Sequence, residues 1–332
     1  MAKIATMIVL VAAAAAVAVG ASADTSANGT IGFAQANVGN GWYEVQIQGV
    51  KDESKKLGFA ADVVSGGGDP VVQNGQIKTF LTKQVKAIVL NGTDPGAIKP
   101  SIDAMKAANV PFVLVNTPLP PALSSQAYCY VSDDQVLSAS KVGAEMARVL
   151  KKKYGSSATV KALLVEGIPG DLNAVQRHDG WLKGYKSVAG APKLKLLPSV
   201  FGYWSADKAL GPVRAVATAN PDLQAVFVET DSMMPAVQTA LTAAGTWKKV
   251  VVGSFDGRMN IVKYMIDHPA GPIFATVPNQ PYAQGTIAVD LLKKALAGVP
   301  KSTACPGGKH VITGPPITPA NAKSFYTSKR DY

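Results

Sequence analysis

The stretch VKAIVLNGTDPGAIKPSIDAMKAANVPFVLVN, residues 85–116, decides the fold of this chain. It opens with a short apolar run ending at Asn91 and continues through a polar loop into an amphipathic stretch, residues 95–109. It closes with a second apolar run that ends at Asn116. Strand, helix, strand in that order reads as a βαβ unit, whose two strands are parallel and whose sheet is covered by helices.

The same rhythm extends in both directions. Strand-like runs rich in Val, Ile, Leu and Ala occupy residues 30–36, 58–64, 85–91 and 110–116. YGSSA at 154–158 punctuates the chain, and the rhythm restarts with runs at 159–167, 194–200, 223–230, 249–255 and 272–277. Helical patterns are expected at 172–188, 205–219, 232–244, 258–267 and 282–298, followed by a tail rich in Pro and Gly. The fold class that fits is α/β, with two similar lobes, each an open parallel sheet flanked by helices.

Ahead of the first strand, Lys3, an apolar run at 4–19 and GASAD at 20–24 form a secretory signal peptide, residues 1–23, cleaved near Ala23. The run is too short for a stable anchor, and no cysteine stands at the cleavage site for a lipid. An exported, soluble protein of a bacterial periplasm is expected. Of 332 residues about 309 remain after residue 23, enough for two lobes. The net charge of +11 falls to +10 without Lys3. Its basic residues are scattered on helix faces without interleaved aromatics, so nucleic acid is not an expected partner. His178, His268 and His310 stand in unrelated contexts with no zinc spacing, and neither metal nor cofactor is expected. Cys129 and Cys305, the only two cysteines, are a disulfide candidate in an oxidising compartment, although sequence does not bring their backbones together.

Ligands of open α/β sheets bind beyond the carboxyl ends of the strands. The loops there read QANVGNGWYE, SGGGDPVVQ, NGTDPG, NTPLPP, GIPGDLNAVQR, FGYWSAD, ETDSMM and SFDGRMN. Asp69, Asp94, Asp171 and Ser205 are explained as helix caps or turn formers. Trp42, Trp204 and Arg177 are not. Trp181, deeper in its helix, is expected in the core.

These segments resemble, in register, the periplasmic sugar-binding proteins of the ribose-binding type, the type I substrate-binding proteins of ABC importers. The resemblance runs through residues 31–59 with their aromatic pair, 85–116, LLVEGIPGDLNAVQRHDGWLKGY at 163–185, residues 220–245 and VVVGSFDG at 250–257. It implies two lobes joined by three hinge crossovers, with an N-terminal lobe of 28–132 plus 280–306 and a C-terminal lobe and tail of 133–279 plus 307–332. It further implies a ligand pocket of Asn40, Trp42, Tyr43, Asn116, Thr117, Arg177, Trp204, Thr230, Asp256 and Asn279, with Asn173 and Gln280 nearby. Aromatic rings can sandwich the apolar faces of a sugar, while Asn, Asp and Arg address its hydroxyl rim. Arg177 and Asp256 balance in charge, which suits a neutral ligand.

Two departures shape the expected ligand. Asn116-Thr117 stand where ribose- and galactose-type relatives commonly carry Asp-Arg, and Thr230 stands where Asn is usual. The calcium loop of some galactose-binding relatives is absent. The expected ligand is a neutral monosaccharide or sugar alcohol, and the departures leave room for a smaller or more flexible one: a pentose, a sugar alcohol or a deoxy sugar. The partners implied are an ABC permease with its ATPase, or alternatively a chemoreceptor, and the protein itself is expected to be a monomer. No Gly-x-Ser-x-Gly elbow, dinucleotide fingerprint or phosphate loop occurs, so the residues point to binding and not to catalysis.

Overall fold

Strands that are apolar at every position bury both faces, so each sheet needs helices on its two sides. The structure, a computed structural model, describes residues 28–38, 40–328 and 331–332. The expected signal peptide lies outside the described residues. The chain runs β1 (Thr30–Gln35), α1 (Gly41–Lys56), β2 (Ala60–Ser65), α2 (Pro70–Thr82), β3 (Ala87–Leu90), α3 (Lys99–Ala107), β4 (Phe112–Val115), a short α4 (Pro121–Ser124) and β5 (Cys129–Asp133). It continues with α5 (Gln135–Tyr154), β6 (Thr159–Glu166), α6 (Leu172–Lys186), β7 (Lys193–Leu196), β8 (Val200–Phe201), α7 (Ala206–Ala219) and β9 (Ala225–Val228). Then come α8 (Met234–Ala243), β10 (Val251–Ser254), α9 (Met259–Asp267), β11 (Ile273–Ala275), α10 (Pro281–Leu296), α11 (Lys301–Ala304), β12 (Lys309–Ile312) and α12 (Ala322–Phe325).

Two parallel sheets result. The first has the order β12-β5-β4-β3-β1-β2, the second β11-β10-β9-β6-β7 with β8 also pairing β6. Side chains alternate between faces with period two. Ile31, Phe33, Ala87 and Val89 pack with Val50 of α1 and Leu292 of α10, while Ala34, Ile88 and Leu90 pack with Ile77 and Ile102 of α2 and α3. The second sheet is likewise covered by α5 and α6 on one face and by α7, α8 and α9 on the other. Trp181 is fully buried there, stacked on Phe227 at 5.6 Å.

Three details differ from the expected run of elements. The strand at 194–200 is interrupted at Pro198, which has no N–H for the ladder, and becomes β7 and β8. Cys129–Asp133 is a strand, β5, and the tail contributes β12, paired in register Lys309↔Tyr130 to Ile312↔Asp133. Residues 309–312 therefore sit on the edge of the first sheet. The chain returns to the second lobe only afterwards, where Ile317 bridges Thr276. The third crossover follows residue 312, later than the expected break at 307. Its strand was hard to read because Lys309, His310 and Val311 are exposed and carry no apolar run.

Cys129 and Cys305 are joined, with Cα atoms 5.8 Å apart and both side chains buried.

Candidate functional site

All strands of both sheets are parallel, so their carboxyl-end loops gather at one end of each lobe, and the two ends face each other. A cavity lined by residues of both lobes lies between them. Eleven of the twelve expected ligand residues line it: Asn40, Trp42, Tyr43, Asn116, Thr117, Asn173, Arg177, Trp204, Thr230, Asp256 and Asn279. Gln280 is the one left out; its backbone N–H donates to Asp133 Oδ2 at 3.3 Å. Asp171 joins the wall instead.

The first lobe contributes the entry to α1 and the loop after β4. Asn40 caps α1, its Oδ1 accepting from the Trp42 N–H at 2.8 Å, and this brings both rings to the cavity in the first helical turn. Trp42 and Tyr43 meet edge to face with centroids 5.3 Å apart. Burial, and then the charge of Asp171, push the Tyr43 hydroxyl up to about 12, so it stays protonated. Asn116 ends β4 at φ +58°, a left-handed conformation that Asn tolerates better than most residues. That turn points Thr117 inward, where its hydroxyl donates to Asn91 Oδ1 at 2.8 Å.

The second lobe contributes the segments after five strands, β6, β8, β9, β10 and β11. Asp171 caps α6 by accepting from the Asn173 and Ala174 N–H groups, as expected of a cap, and it also faces the cavity. Arg177, two turns into α6, is almost wholly buried. Its Nε donates to Gln135 Oε1 at 2.8 Å, its Nη1 donates to the Glu229 carbonyl, and Nη1 lies 3.4 Å from Asp256 Oδ1. The guanidinium sits 3.8 Å from the Phe255 ring centroid and 5.3 Å from that of Trp204. Glu166 pairs with His178 at 2.9 Å instead of with Arg177. Trp204 adopts φ +60° and lies flat over Gly167, where any Cβ would fall 2.1 Å from the indole. Only glycine admits the ring.

Asp256, at φ +111°, is held from three sides. Thr230 Oγ1 donates to its Oδ2 at 2.5 Å, Asn279 Nδ2 donates to Oδ1 at 3.2 Å, and Arg177 adds its charge. Burial raises the Asp256 pKa; Arg177, Thr230 and Asn279 work against that rise. At the entry to α9, Asp231 Oδ2 accepts from the Arg258 N–H at 2.8 Å. Sequence reasoning missed this Asp231 role, and also Glu229, which is fully buried and pushed well above the carboxylate range by desolvation. The only hint was their adjacency in the ETD stretch at 229–231.

Two wall atoms are buried without a protein partner, the indole N–H of Trp42 and Oδ1 of Asn173. One donates and one accepts, and a polar ligand can satisfy both. With Asp171, the wall holds two carboxylates against one guanidinium. An anionic ligand is disfavoured there, whereas rings and fixed donors and acceptors suit a neutral polyhydroxy compound.

Comparison with known proteins finds relatives along most of the chain. The ribose import binding protein of Escherichia coli (strain K12) is 28% identical over 294 residues, covering 89% of this chain and 93% of that protein. The D-apiose import binding protein of Actinobacillus succinogenes is 26% identical over 69% of this chain and 70% of its own length. Among solved structures, an ABC transporter solute binding protein from Mycobacterium smegmatis with bound glycerol superposes with a TM-score of 0.79 at 24% identity, covering 91% of this chain and 98% of that one. The periplasmic binding protein component of the arabinose ABC transporter from Shewanella sp. ANA-3 gives 0.77 at 24% identity, over 90% and 94%. At these identities the structural likeness concerns the fold. The family described as "Periplasmic binding protein domain" matches residues 31–300, nearly the whole of both lobes, and this chain belongs to it.

Proposed function

We propose that the protein is the solute-binding component of an ABC importer, and that it encloses a neutral monosaccharide or sugar alcohol between its lobes. The observation that carries this reading is the cavity wall itself. Trp42 and Tyr43 come from one lobe and Trp204 from the other, around a rim of Asn, Thr, Asp and Arg groups whose polar atoms are already oriented by partners. The import binding proteins for ribose and D-apiose, similar along most of the chain, support a small sugar as the ligand class. The expected signal peptide supports export to the periplasm, and delivery of the closed, loaded form to a membrane permease completes the role. In that cycle the open lobes sample closure, and a ligand touching both walls populates the closed form by its differential affinity.

A thermal-shift screen of pentoses, hexoses, polyols, uronic acids and sugar phosphates tests the reading. A neutral polyhydroxy compound is expected to raise Tm, and the acids and phosphates to leave it in place. Trp204→Ala and Asp256→Asn are each expected to weaken the best ligand by about tenfold or more, since each removes a wall contact worth ~1–3 kcal/mol. Unchanged affinity in both variants removes this cavity as the site.

A further inference from the structure

Behind the cavity, seven side chains on both lobes are joined by six hydrogen bonds that run in a single direction. Thr117 Oγ1 donates to Asn91 Oδ1 at 2.8 Å, and Asn91 Nδ2 donates to Gln35 Oε1 at 2.7 Å. Gln35 Nε2 donates to Gln46 Oε1 at 2.8 Å, and Gln46 Nε2 to Gln284 Oε1 at 2.8 Å, a step between α1 and α10. Gln284 Nε2 donates to Asn279 Oδ1 at 3.1 Å, and Asn279 Nδ2 to Asp256 Oδ1 at 3.2 Å. The ladder starts on the cavity wall of the first lobe and ends on that of the second. Its interior members Gln35, Gln46, Asn91 and Gln284 are wholly buried and line no part of the cavity.

The direction is imposed by chemistry. An amide flips freely only if its neighbours can exchange donor and acceptor roles. Here the ladder runs into Asp256 Oδ1, which also faces the Arg177 guanidinium at 3.4 Å, and Gln284 Nε2 also faces Asp133 Oδ2 at 2.8 Å, which accepts from the Gln280 N–H; each of these oxygens already meets a group that can only donate, so each accepts. At the other end, backbone N–H groups, which only donate, face Gln35 Oε1 (Ala36, 2.9 Å) and Asn91 Oδ1 (Thr117, 3.4 Å). Reversing any rung would oppose two donors or two acceptors in a dry interior, at about 1–3 kcal/mol for each unsatisfied group.

We infer that this ladder, with Gln284 as the positioning residue between the lobes, fixes the donor–acceptor pattern that the cavity shows its ligand. Thr117 has spent its proton on Asn91, and Thr230 has spent its own on Asp256 at 2.5 Å. Both hydroxyls, together with the Asp256 carboxylate, therefore meet the ligand as acceptors. The ligand edge that lies there must consist of O–H or N–H donors: free hydroxyls, not ether, keto or phosphoryl oxygens. The ligand part of this inference rests on the sugar-binding reading above; the ladder does not.

The experiment uses D-ribose, L-arabinose, D-allose and myo-inositol as probes, each with its monodeoxy and monofluoro derivatives, titrated against wild type, Thr117→Val, Gln284→Met and Gln46→Met. For the hydroxyl that meets Thr117, the deoxy and fluoro forms are both expected to bind about tenfold or more weaker than the parent. A fluoro form that binds like its parent overturns the acceptor assignment. Thr117→Val is expected to erase that deoxy penalty, and Gln284→Met and Gln46→Met to shrink it several-fold although neither residue touches the ligand. A loss of stability alone would weaken parent and deoxy forms equally, so an unchanged parent-to-deoxy ratio in Gln284→Met overturns the positioning role. If none of these probes binds, the sugar reading fails separately, and the ladder is judged in the ligand-free protein. There, Gln284→Met must shift the NMR side-chain amide signals of Asn279 and Gln46 on either side of it; unmoved signals overturn the ladder.

Discussion

Asp133 lies buried at the end of β5, where the chain first crosses between lobes. Its Oδ2 accepts from Gln284 and from the Gln280 amide, and its Oδ1 has no protein partner. Burial raises its pKa from the ordinary 3.8 to about 7, against the pull of those hydrogen bonds. Between these two values the folded chain holds a proton that the unfolded chain has released. The unfolded state thus binds fewer protons, and stability falls as pH rises through that window. Asp133→Asn, which keeps the neutral form at all pH values, is expected to be on the order of 2 kcal/mol more stabilising at pH 8 than at pH 5. Urea melts of both proteins across that range check it, and parallel curves reject the assignment. Asp133 was legible only as a polar residue near a crossover, because its burial depends on α10, 147 residues further along the chain. Trp42, Trp204 and Arg177 were legible because no cap or turn accounts for a large ring or a guanidinium at a strand end. Asp171 illustrates the opposite case: a residue explained as a cap, which it is, can also face the cavity.

At the scale of elements, α1 and α10 lie against each other through Gly49 and Gly285. A Cβ on Gly49 would fall 2.3 Å from the Tyr282 carbonyl, and one on Gly285 2.5 Å from that of Gln46. This backbone approach is what lets Gln46 and Gln284 reach each other. In a solvent-exposed helix, glycine to alanine gains about 1 kcal/mol from backbone entropy. Here Gly49→Ala must separate two helices, and a loss of about 1–3 kcal/mol is expected from overpacking. Chemical denaturation reads the sign directly; a stabilised variant means the helices are not in contact at that point. Helix positions were readable from periodicity to within a few residues. Edge strand β12 was not, because its pairing with β5, and not an apolar run of its own, makes it a strand.

Across the whole molecule, the Cys129–Cys305 bridge spans 176 residues, enclosing the crossover into the second lobe and the return to α10. In the chain-entropy model, closing so long a loop restricts the unfolded state by about 5 kcal/mol. Reduction, or Cys129→Ala with Cys305→Ala, is therefore expected to lower unfolding stability by about 3–5 kcal/mol. Guanidinium melts with and without reductant measure it, and coincident midpoints contradict it. By itself the sequence determined the α/β class, the tandem of two parallel sheets and most residues of the cavity wall. The class and the tandem follow from local apolar runs, Trp42, Trp204 and Arg177 from residue types that no cap or turn explains, and the rest of the wall from the resemblance to the sugar-binding family. Only the tertiary structure decided the joining of the cysteines, the return of the tail to the first sheet, the burial that sets the charge of Asp133, and the polarity of the Thr117–Asp256 ladder. Each of these depends on groups distant in sequence meeting in a dry interior, where a polar atom's role is set by whatever neighbour the fold supplies.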